Sequence, residues 1–101
     1  MSAADWFNLN FERDRLFWVL EKLELAALHL AANDASILAR VKRALLEMVA
    51  LQPADLPDDL CEQLGPIRHA AMHEISTIEA KEVGQAILRL RVEVDRRTKA
   101  R

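Results

Sequence analysis

Apolar residues recur at intervals of three and four along most of this chain, and only two Gly and three Pro interrupt them. That spacing follows the 3.6-residue period of a helix, and no strand-length alternation competes with it. The clearest run lies between Phe11 and Ala32. Leu16, Val19, Leu20, Leu23, Ala26, Ala27, Leu30 and Ala31 repeat there at three and four, which predicts a first long helix with Asn10 as its N-cap. Trp18, Leu25 and Leu28 add a second stripe. A helix apolar on two sides is either central in its fold or part of an oligomer interface. The expectation is a homodimer.

The same reading carries down the chain. Asn33-Asp34 breaks the first helix and caps a second over about Ala35 to Leu51, ended by Pro53. In it Ile37, Leu38, Val41, Ala44, Leu45, Met48 and Val49 face inward, while Arg40, Lys42, Arg43 and Glu47 face water. Pro57 opens a short helix over Asp58 to Leu64 that Gly65 stops, and Pro66 opens another to Ile75. Ser76-Thr77-Ile78-Glu79 has the spacing of a capping box, starting a last long helix to about Thr98 with Val83, Ile87, Leu90 and Val94 as its stripe. The fold class is therefore all-α: an up-down helical bundle of three long helices plus one or two short ones.

With 101 residues the chain makes one domain, 1–101. Residues 1–10 form a loose N-terminal segment from which Trp6, Phe7 and Leu9 could tuck onto the core, and 99–101 a basic tail. At 51% hydrophobic and 30% charged residues the chain is globular and not disordered. The single cysteine, Cys61, excludes an internal disulfide and a multi-thiolate metal site within one chain. With no signal-like or membrane-spanning segment, the expected location is the cytoplasm, away from any membrane. Cys61 stands next to acidic residues, which do not favour a thiolate, so it is not expected to act as a nucleophile. A net charge of −2 gives no overall pull toward nucleic acid. The cations from Arg89 onward suit a solvated helix C-terminus more than an RNA path.

Chemistry concentrates in one stretch, LGPIRHAAMHEI, residues 64–75. Arg68 is permanently charged and can hold a phosphate by two parallel bonds. His73 carries an imidazole, which can take a proton from one oxygen and return it to another. Metal-independent RNA cleavage needs those two services. With Pro66 opening the helix, Arg68 would sit in a first turn whose unpaired amides also favour an anion.

Arg68, a polar His69 and then His73 with four residues between Arg and the second His together resemble the signature of the HEPN family (higher eukaryotes and prokaryotes nucleotide-binding). These are small all-α proteins that include ribonuclease toxins and RNA-processing enzymes. The likeness is strongest over residues 64–95, with helix order extending it. Members often carry an aromatic soon after the His, where this chain has Glu74 and Ile75. The resemblance implies a metal-independent endoribonuclease, toxin-like and dimeric, or a catalytically silent relative. It assigns His73 as general acid/base, Arg68 to the transferring phosphate and His69 to orientation. It also implies an RNA substrate, an antitoxin partner of the nucleotidyltransferase type, and no cofactor or metal.

Other readings stand beside this one. Arg68 and His69 could be solvated helix residues, with His73 satisfied by Glu74 or a backbone carbonyl. His69 and His73 at i, i+4 could also bind zinc, completed by Cys61, Glu62 or Glu74. A phosphotransfer histidine fits neither His69 nor His29, because the expected Lys and Gly do not follow them. His29 reads as a core or interface residue, and Phe11, Phe17 and Trp18 as packing groups. The non-enzymatic alternative is a helical dimerisation or protein-interaction module that uses the wide face of the first helix.

Overall fold

The computed structural model describes the backbone of residues 3–99 and the side chains of residues 13–99. The protein is all-helical, with four α-helices and one 3-10 turn among the described residues. Helix α1 spans Ala3–Ala31, α2 Ile37–Met48, α3 Asp58–Met72 and α4 Thr77–Lys99, while Pro53–Asp55 forms the 3-10 turn. Within α1, Asn10 is an interior residue and not a cap. Neither Gly nor Pro occurs between Ala3 and Ala31, so only the small propensity deficits of residues such as Asn8 and Asn10 oppose continuation. The side chains of Trp6, Phe7 and Leu9 lie outside the described residues, as do residues 100 and 101 of the basic tail.

The cap of α2 is Ser36, not Asn33-Asp34. Its hydroxyl accepts from the Ala39 amide at 3.2 Å, while the Asp34 carboxylate accepts from Arg43 at 3.2 Å. Helix α2 also ends earlier than expected, at Met48, because Leu51 turns back to be fully buried. Only Val41, Ala44, Leu45 and Met48 of its predicted inner face are buried. Ile37 and Leu38 are half-buried and Val49 is 60% exposed.

Gly65 and Pro66 interrupt nothing. Instead of two short helices there is one helix of 15 residues with Pro66 inside it. Leu60, Leu64, Ile67 and Ala70 are buried at helical spacing on both sides of the pair, whereas Gly65 and Pro66 face solvent. Proline removes one bond to the carbonyl four residues back. Continuous burial of that stripe outweighs the loss.

The start of α4 is as expected. The Glu79 amide donates to Ser76 Oγ at 3.1 Å and the Ser76 amide to Glu79 Oε1 at 3.4 Å, a reciprocal capping box. All four residues of its predicted stripe are buried. Helices α1 and α3 each pack on α2 and α4 but not on one another, so they occupy opposite sides of the α2–α4 pair. The molecule is elongated, 51 × 23 × 17 Å with a radius of gyration of 14.7 Å. No described helix is long and apolar enough to cross a membrane.

Candidate functional site

The histidine-bearing stretch forms the C-terminal end of α3 and the turn after it. His73 is the C-cap, with extended backbone. The last carbonyls of a helix lack intrahelical partners, and His73 reaches back to one of them, with Nδ1 2.8 Å from the His69 oxygen. A carbonyl only accepts, so Nδ1 carries the proton and a neutral His73 keeps Nε2 as its basic nitrogen. The His69 and His73 rings stack at 4.1 Å with 19° between their planes. Both rings are exposed.

Arg68 is half-buried one turn earlier, in a small groove of about 100 Å³ with Met48, Val49, Ile67, Ala71 and Met72. It has no hydrogen-bond or ion-pair partner among the described residues. The positive helix end expected beside it is absent, because Pro66 is internal and the nearer terminus is the C-terminal one, whose dipole repels anions. Arg68 and His73 also diverge. Five residues along a helix correspond to about 140° around the axis, and the two side chains line different depressions.

The structure brings other residues to His73. A groove of about 310 Å³ runs between α2 and the end of α3, with Lys42, Arg43 and His73 over apolar Leu46, Val49 and Ala71. Val49 and Ala71 also border the Arg68 depression, so the two adjoin. Among the described residues no Asp or Glu lines either one. Lys42 and Arg43 read from sequence as solvated residues, and Val49 as core. Only the i, i+4, i+7 spacing of Lys42, Leu46 and Val49 marks this second edge of α2.

The remaining candidates have ordinary surroundings. Cys61 Sγ approaches the carbonyls of Pro53, Leu56 and Pro57 at 3.1, 3.6 and 3.5 Å. No group of three or more His, Cys, Asp or Glu is placed to hold a metal ion among the described residues. His29 Nε2 lies 3.2 Å from Glu47 Oε1, linking α1 to α2. Of the basic residues near the C-terminus, Arg97 pairs with Asp59, Lys99 with Asp95 and Arg96 with Glu93. Phe17 and Trp18 are exposed, flanked by Arg13 and Lys22 over their rings, while the Phe11 side chain lies outside the described residues.

No protein-family model, curated protein or solved structure matches this chain.

Proposed function

We propose that this chain is a non-enzymatic helical interaction module that self-associates, at least to a dimer. One observation carries the reading. Opposite its core stripe, α1 presents Phe17, Trp18, Leu25 and Leu28 to solvent, with Leu28 68% exposed. Single exposed apolar residues are common on monomers, but a stripe sustained over three helical turns marks a contact surface.

The fold we infer for the module is an up-down bundle, since short turns join consecutive helices that pack on one another. Its single cysteine fits a reducing cytoplasm. Sedimentation equilibrium tests the reading. The wild-type chain associates at micromolar concentration, and Leu25→Asp with Leu28→Asp lowers that affinity at least a hundredfold. A wild-type monomer at every concentration overturns it.

A second reading has its own observation. His73 keeps Nε2 as a base beside Lys42 and Arg43, in a groove with no carboxylate. That setting suits an RNA phosphate, as the HEPN resemblance implies, and such a toxin would be held by a nucleotidyltransferase-type antitoxin. Because Arg68 and His73 diverge on one chain, the metal-independent endoribonuclease would combine His73 of one copy with Arg68 of another, His69 holding the imidazole by stacking. RNA cleavage in EDTA decides it. Activity lost in both His73→Ala and Arg68→Ala supports the enzyme, while equal activity in wild type and variants, or none in any, removes it.

A further inference from the structure

Resting on the self-association reading, we infer that the outer stripe of α1 docks into the α2–α3 groove of a second copy of this chain. The two surfaces are complementary in charge and in spacing. Along α1, Asp14, Trp18, Glu21, Leu25 and Leu28 recur at intervals of four and three, the seam of a helix made to pack along another. Asp14, Glu21 and neighbouring Glu24 are exposed and pair with no cation among the described residues. The stripe thus carries three carboxylates that pair with no cation among the described residues, while its edge cations, Arg13 and Lys22, lie over the Phe17 and Trp18 rings.

The groove has the opposite sign. Cations stand at both ends, Lys42 and Arg43 with His73 at one and Arg68 at the other, with Leu46, Val49 and Ala71 between them. Arg43 is shared with Asp34, whereas Lys42 and Arg68 are unpaired among the described residues. Leu46 is 74% exposed and Met72 70% exposed. Leu46, Val49, Met72, Phe17, Trp18, Leu25 and Leu28 are seven of the ten exposed large apolar side chains among the described residues, the other three being scattered on α4.

The repeats also match in length. Asp14 and Glu21 flank Trp18 seven residues apart, about 10.5 Å along the helix. Lys42 and Val49 are separated by the same seven residues, and Arg68 stands at the Val49 end. Seating Trp18 over Leu46 and Val49 sets one carboxylate near each cationic end, with the indole as the desolvated anchor such contacts favour. Pairing α1 with α1 offers nothing comparable. Parallel, each carboxylate would meet its own copy; antiparallel, each would meet Trp18 or Leu25, while the cations at the edges of the stripe, Arg13 and Lys22, already lie over Phe17 and Trp18.

Two single-surface variants test the inference. One carries Trp18→Ala with Glu21→Lys and the other Lys42→Glu with Arg68→Glu, all outside the core. Unchanged helical circular dichroism establishes that each folds, and Glu21→Lys or Lys42→Glu alone substitutes for a double variant that does not. Each variant alone is expected to be monomeric at concentrations where the wild type associates. Mixed, they form a one-to-one complex by sedimentation velocity, since the second retains the stripe and the first the groove. A groove variant that still self-associates, or a mixture that stays monomeric while the wild type associates, overturns this contact and leaves the module reading standing. A monomeric wild type removes both.

Discussion

At the scale of single residues, His73 is first a cap. Its ring closes the carbonyl end of α3 and stacks on His69, and the nitrogen left over is what the ribonuclease reading would use. The spacing of Arg68 and His73 already places them about 140° apart on a helix; what the sequence does not show is that α3 ends at His73, whose ring caps it. Asp59 was less visible still, because its partner Arg97 lies 38 residues away. Arg97 donates to both carboxylate oxygens, and this hydrogen bonding holds the Asp59 carboxyl below its ordinary range. A depressed carboxyl pKa stabilises the fold at pH values above its unfolded titration, and the contribution is lost as pH falls through the folded value. Asp59→Asn is therefore expected to lower the melting temperature slightly at pH 7, and its gap from wild type to narrow as falling pH protonates the wild-type carboxyl. A gap that persists or widens in acid refutes this role.

Among the elements, α3 teaches most. Gly65-Pro66 is a strong local stop signal, and read locally it divides the segment in two. The buried positions Leu60, Leu64, Ile67 and Ala70 ran through that signal unbroken, and burial across 15 residues decided the outcome. Gly65 is the testable remnant. It lies mid-helix, and a methyl group added there meets nothing within 4 Å. Gly65→Ala should stabilise the protein by about 0.5–1 kcal/mol, raising Tm by a few degrees in a thermal melt. A lower Tm would mean that the helix needs glycine's freedom beside Pro66. In contrast, the capping box of α4 was fully legible, because all its atoms lie within four residues.

For the whole molecule, the helical class and the stripes of α1 and α4 followed from period alone, since each period selects one buried face. The α2–α3 groove did not. It arises from where two helices meet, and residues such as Lys42 and Val49 acquire their setting only from that junction. Because α1 and α3 sit on opposite sides of the α2–α4 pair, a stripe seated in a neighbour's groove leaves that neighbour's own stripe pointing onward. The assembly then has polarity: one terminal subunit offers an empty groove and the other an uncovered helix, and growth stops only if the turn per subunit closes a ring. A copy lacking its stripe acts as a chain terminator, setting assembly length by its ratio to the intact chain.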